Sequence, residues 1–209
     1  MKRIITAIAL GLMWLLCLAD SPLTSTTFYE AYPENPYVNA AIGMVENGDT
    51  DLPVTTMNYL ADAKQPISAR LAVVNAIGWN FESTSISNQL CDYLMTRFKV
   101  KDEEQLIKKI DAGTLAVYAY AKAMSNYFVV TEAQALAHQA VEKDKTHSFS
   151  IAFIASLIDA QVYLDSDWAM VYRVVANVLH DGSLNLDMRQ EAIDKVMEYI
   201  NLYQEYDHD

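Results

Sequence analysis

The chain has 209 residues, 52% of them hydrophobic, and carries 15 basic against 27 acidic side chains for a net charge of −12. This length and apolar content suffice for a single domain with a real core. So acidic a surface is repelled by phosphate backbones and anionic membranes alike, which argues against nucleic acid as a partner.

Lys2 and Arg3 precede an uncharged run from Ile4 to Ala19, which ends in Asp20-Ser21-Pro22. The run is shorter than the roughly 20 apolar residues needed to span a bilayer. Cations, a short apolar run and a polar break together form the secretory-leader pattern. Residues 1–19 are therefore expected to be a signal peptide, cleaved after Cys17-Leu18-Ala19, with no membrane span left in the mature chain. The protein is then exported, periplasmic or secreted. Lipidation at Cys17 is less favoured, because Trp14-Leu15-Leu16 stands where a lipoprotein leader carries small residues. Cleavage takes the basic count from 15 to 13 against 27 acids, so the mature net charge is −14. It also leaves Cys91 alone, unable to form an internal disulfide. The amphipathic context Gln89-Leu90-Cys91-Asp92-Tyr93-Leu94 predicts a buried, unreactive thiol.

Residues 20–34 are polar and aperiodic, and read as a flexible tether in front of a single all-helical domain over 35–209. Every proline lies at or before Pro66. Caps and breakers then place the helices. Asn35-Pro36 opens one that runs to about Glu46, and Pro53 opens another to about Ala63. Pro66 starts a third that Gly78 stops, and Ser85 caps a fourth. Asp102-Glu103-Glu104 and Lys108-Lys109 match the two dipole ends of a fifth, which Gly113 ends.

Four dense apolar helices follow, over 114–129, 131–143, 147–164 and 166–180. Thr131-Glu132 and Ser166-Asp167 are both hydroxyl-acid pairs that follow an aromatic-aliphatic pair, and they lie 35 residues apart; so do Tyr118 and Phe153. Two helices per mid-thirties period is the mark of stacked helical hairpins. Over 114–180 the chain resembles the tetratricopeptide-like αα-repeat superfamily, without that family's Trp-Leu-Gly-Tyr signature. The resemblance implies a shape and no activity. The fold expected is all-α: stacked antiparallel hairpins in a short, right-handed, α-solenoid-like array of nine to ten helices. Asp159 and Arg173 sit level in one such hairpin, which predicts a partly buried structural ion pair between them.

The last helix, about 185–205, is two-faced. At about 100° per residue, Asp187, Glu191, Asp194, Glu198 and Glu205 share one narrow arc opposite Ala192, Ile193, Val196, Met197, Tyr199, Ile200 and Tyr203. The acidic arc is either a solvated face or a docking strip for a basic partner. Tyr118, Tyr120, Trp168 and Tyr172 either fill the core or line an aromatic groove for a peptide.

Catalytic patterns are missing from the sequence. His138, His147, His180 and His208 have no metal-binding spacing among them. The segment 177–188 resembles an EF-hand-type calcium loop at Asp181, Gly182 and Asn185, but Leu179 and Met188 occupy ligand positions. Nucleophile elbows and phosphate-cradling glycine loops do not occur. No cofactor and no catalytic residue is assigned. The reading is an exported, non-enzymatic interaction module of the cell envelope that binds a protein or peptide, a basic one preferred. Its alternatives are an immunity-like inhibitor of a basic enzyme, and a helical envelope enzyme acting on carbohydrate or cell-wall material through paired carboxylates.

Overall fold

Apolar residues at helical spacing, punctuated by side-chain caps, build ten α-helices and no strand among the described residues, with 68% of the chain helical. They are seen in a computed structural model that describes residues 20–78 and 84–208. The expected leader, and with it Cys17, lies outside the described residues. The helices are α1 (Pro36–Glu46), α2 (Val54–Leu60), α3 (Ile67–Ile77), α4 (Thr84–Phe98), α5 (Glu103–Lys109), α6 (Ala112–Ser125), α7 (Thr131–Lys143), α8 (Phe149–Tyr163), α9 (Trp168–Leu179) and α10 (Gln190–Ile200). Short 3₁₀ turns at Phe28–Ala31 and Asn201–Tyr206 flank them.

The acids and amides of the sequence begin many of these helices. Asn35 caps α1 by accepting from the Tyr37 and Val38 amides, and Asp102 caps α5 through Gln105. Asp111, Ser148 and Asp167 do the same for α6, α8 and α9. Each such cap satisfies an orphan amide and contributes about 1 kcal/mol. At the other end of α1, Gly48 turns the chain through φ +71°, a conformation that glycine adopts without strain. Two boundaries before α7 differ from expectation. Gly113 does not end α5; Asp111 starts α6, and Gly113 lies within its first turn. Ser85 lies inside α4, which begins at Thr84.

Helices α6 to α9 form two stacked hairpins, each helix packed on the next, with α6 also against α8. Linkers of a few residues enforce the antiparallel order. Helix starts reveal the period: α6 and α8 begin at 112 and 149, and α7 and α9 at 131 and 168. The structural repeat is therefore 37 residues, not 35. The residue-class match at Thr131 and Ser166 pairs non-equivalent positions, since Thr131 is the first residue of α7 while Asp167 is the cap of α9.

The core lies around α3, α6 and α8. Ten of the eleven residues of α3 are buried, and α6 is covered by α3, α4, α7 and α8. In the last turn of α3 stands the amide of Asn75. Its Nδ2 donates to the Thr26 carbonyl (3.0 Å) and to the Tyr120 hydroxyl (2.9 Å), and its Oδ1 accepts from the Tyr29 amide (2.9 Å).

These bonds overturn the flexible tether expected over 20–34. Leu23, Thr26, Phe28 and Tyr32 are buried, and Phe28 stacks on Tyr120 with ring centroids 6.1 Å apart. The Phe28–Ala31 turn packs between α3 and α10. Glu30 pairs with Lys195, Arg189 pairs with Glu34, and the Arg189 guanidinium lies 4.6 Å above the Tyr32 ring. Polarity and lack of period concealed this, because the segment docks through isolated side chains and not through a helical face.

Replacing Asn75 by Ala leaves the part-buried Tyr29 amide without its acceptor and the buried Tyr120 hydroxyl without its donor, while the Thr26 carbonyl keeps only the Phe28 amide. We expect a loss of about 3 kcal/mol in urea unfolding, together with faster amide exchange over residues 21–32. Exchange in that segment unchanged from wild type would disprove the anchoring role.

Candidate functional site

The central helix α6 has no free face, and this decides the fate of the predicted aromatic surface. Tyr120 is fully buried, and burial pushes its hydroxyl pKa above the usual tyrosine value. Tyr118 is also buried and donates to Glu103 at 2.8 Å. Neither tyrosine can line a partner groove. Trp168 is half exposed, with its indole nitrogen donating to the Leu164 carbonyl and its ring edge-on to Tyr206 at 4.9 Å and Tyr203 at 6.3 Å. Tyr172, on the same helix, is half-buried. These two are what remains of the predicted aromatic set at the surface.

The acidic arc is also shorter than expected. Glu191, Asp194 and Glu198 lie exposed on α10, opposite the buried Ala192, Ile193, Val196, Met197, Tyr199 and Ile200. Lys195 stands among them and pairs with Glu30 and Glu198. Glu205 falls on the following 3₁₀ turn. Asp187 precedes the helix and serves the fold instead: it accepts from the Ser148 hydroxyl at 2.6 Å and the Ser150 amide at 2.7 Å at the start of α8. The C-terminal helix begins only at Gln190, so Asp187 never joins its face.

The predicted Asp159–Arg173 pair does not form. Asp159 turns toward α7, where His138 Nε2 approaches both its oxygens at 2.8 and 3.0 Å and Gln134 Nε2 donates at 2.8 Å. Arg173 faces the C-terminal segment and donates to Asp207 at 2.5 and 3.1 Å. Each hairpin helix presents a different side to each neighbour, and level positions in the chain need not point at one another.

These contacts delimit a groove. Ala152, Ala155, Ser156 and Asp159 recur at helical spacing and form one face of α8. The side chains are small, so they leave a trough between α7 and α9. His138, Val141 and Glu142 form one wall, Val174 and Val178 the other, and the space enclosed is about 350 Å³. The Ser156 hydroxyl is satisfied by the Phe153 carbonyl, which makes the floor effectively apolar. Val141 is 41% exposed and gives that wall an apolar side chain open to solvent. The Asp159 carboxylate and Glu142 give the groove negative charge. The alanines and valines of this groove were legible in the sequence only as core.

Two further sequence readings can be placed. Cys91 is buried, and burial pushes its thiol above the ordinary cysteine range, with the Tyr118 hydroxyl beside it. In the 177–188 segment, Asp181 Oδ1 accepts from the amide and hydroxyl of Ser183, closing a local turn after α9. Among the described residues no group of three or more His, Cys, Asp or Glu side chains is arranged to hold a metal ion. Comparison with known proteins yields no match to a family model, to a curated protein or to a solved structure.

Burial and a raised pKa both starve Cys91 of reactive thiolate. In the chain from Asp20 onward it is the sole cysteine. Its reaction with a chromogenic disulfide reagent at pH 8 should be about 100-fold slower in the folded protein than in urea. Equal rates in the two states would contradict the buried environment.

Proposed function

We propose that the protein is an exported, non-enzymatic interaction module of the cell envelope, and that its partner is a peptide segment seated in the α7–α9 groove. The groove carries the reading. A trough floored by Ala152, Ala155 and Ser156 and walled by Val141, Val174 and Val178 suits a run of apolar side chains from an extended or helical segment. Asp159 and Glu142 favour a Lys or Arg beside that run. Asp159 is already oriented by His138 and Gln134, so no side chain need be ordered to receive the cation. The −14 charge of the mature chain speeds association with a basic partner at low salt. The leader pattern over residues 1–19 supports export.

The carboxylates favour binding over acid–base chemistry. A carboxyl group that serves as general acid needs a pKa raised by an apolar site or a like charge. The carboxylates displaced here move the other way. Hydrogen bonds from Thr27, Arg189, Gln65 and Ser183 hold Glu30, Glu34, Asp62 and Asp181 below the ordinary range. Lys122 does the same to Glu132.

Selection from a displayed library of random 12-residue peptides should enrich sequences that pair two or more apolar residues with a Lys or Arg. Val141→Asp, on the exposed wall, and Ala152→Trp, which fills the trough, should each weaken a selected peptide at least 10-fold with the helical circular dichroism unchanged. Asp159→Asn should weaken it and flatten its salt dependence. Failure to enrich any motif, or peptides indifferent to both groove variants, would reject the reading.

A further inference from the structure

A second cleft, on the other side of α8, holds a buried cation that the fold leaves incompletely partnered. Arg70 lies in the first turn of α3 and is 2% exposed. Burial disfavours its charge, while Asp111 and Asp62 act at a distance to retain it. No described residue forms a salt bridge with it. Its Nη1 donates to the Leu60 carbonyl and the Thr114 hydroxyl, both at 3.3 Å. Its Nε is buried with no partner, and no described residue accepts from Nη2. A buried donor without an acceptor costs about 1–3 kcal/mol, more when charged, and calls for an unseen partner.

The surroundings explain where that partner would sit. Arg70 lines a cleft of about 570 Å³ together with the first turns of α6 and α8, at Gly113 and Ile151. A Cβ on Gly113 would stand 2.6 Å from Nη2, so only glycine allows the guanidinium to lie against that helix start. The carboxylate at that helix start, the α6 cap Asp111, reaches the cation only through the Thr114 hydroxyl, which accepts from Nη1 and donates to Asp111.

The cleft holds three acids, but each is engaged by amides and hydroxyls. Asp111 accepts from the Thr114 amide and hydroxyl, Asp144 from Thr146 and the Ser148 amide, and Asp187 from Ser148 and Ser150. Lys143 donates to the carbonyls of Ile107, Lys108 and Ile110, which neutralises none of them. Lys145, also in the lining, has no partner among the described residues.

From this we infer that the Arg70 cleft is a binding site for a single carboxylate group, held by Nη2 of Arg70 and assisted by Lys145. A hydrogen bond between a guanidinium N–H and a carboxylate is charge-assisted and about twice as strong as a neutral one. Arg70, Lys143 and Lys145 balance Asp111, Asp144 and Asp187 in the lining, so a dianion such as phosphate meets three acids with no surplus cation. A monoanion matches the unfilled Nη2. The site is independent of the α7–α9 groove and stands or falls separately.

The test compares sodium acetate, sodium phosphate and sodium chloride at equal ionic strength, by thermal unfolding and by isothermal titration. Acetate should raise Tm saturably and give a titratable heat, chloride should not, and phosphate should fall below acetate. Arg70→Met should abolish the acetate response, and Gly113→Ala, which crowds Nη2, should weaken it at least 10-fold. If Arg70→Met fails to fold, Gly113→Ala and Lys145→Ala decide, with at least a threefold loss expected for the latter. A short peptide with a free C-terminus, set against the same peptide amidated, separates the sources: tighter binding of the free form than of acetate assigns a chain terminus, and equal binding assigns a small free acid. No acetate response in the wild type, a response equal in the Arg70 and Gly113 variants, or a preference for phosphate would each overturn the assignment.

Discussion

The fold depends on one buried amide. Asn75 sits where α3, α6 and the N-terminal segment meet, and it is the hydrogen-bonding hub of that junction. Without it, the Tyr29 amide and the Tyr120 hydroxyl would converge on an apolar helix and find no partner there, and the Thr26 carbonyl would keep only the Phe28 amide. A buried polar network of this kind is costly when half satisfied and rigid when complete. Here it also specifies register, because only one depth of insertion of the segment brings both Thr26 and Tyr29 to the same side chain. The stack of Phe28 on Tyr120 then follows from a position already set.

Local signals in the chain were legible, and lateral ones were not. Asn35-Pro36, Asp102-Glu103-Glu104 and the apolar spacing of α10 foretold helices that the structure contains. The all-helical stacked-hairpin class followed from them. Cys91 was recognisable as buried because an amphipathic pattern carries its own inside and outside. Contacts between elements carry no such local mark. Asp159 pairs with His138 and Gln134 in place of Arg173, because the side of α8 that bears it faces α7. Tyr118 and Tyr120 are interior because four helices surround α6, a fact about topology and not about those residues. The groove escaped notice for a related reason: alanine and valine read as core whether or not a neighbour covers them.

The acidic composition serves structure as much as surface. Asp102, Asp111 and Asp167 each accept from the first turn of a helix, and Asp144 and Asp187 order the approach to α8. Negative charge at a helix N-terminus also meets the positive end of its dipole. A net charge that looks like a partner-selecting surface is therefore partly an internal device. The exposed set on α10 and Glu142 beside the α7–α9 groove have no such role in the caps. Basic residues are scarcer and correspondingly more specific in their use. Lys143 closes the C-terminal end of α5 and Lys122 joins Glu103 to Glu132.

The clasp between the Phe28–Ala31 turn and α10 changes how the array can come apart. Stacked hairpins that touch only their neighbours lose terminal units one at a time. Here Arg189 reaches back 158 residues to the Ala31 carbonyl and 155 to Glu34, which ties the last helix to the first turn. Closing so long a loop costs only about 1 kcal/mol more than closing one 37-residue hairpin, since the entropy grows with the logarithm of length. The kinetic effect is larger, because a contact of that range forms late and slows folding as non-local pairings do. Once made, it removes the free end from which unravelling would start. A protease meeting the folded body finds the last helix tied down, and cleavage there must wait for the clasp to open.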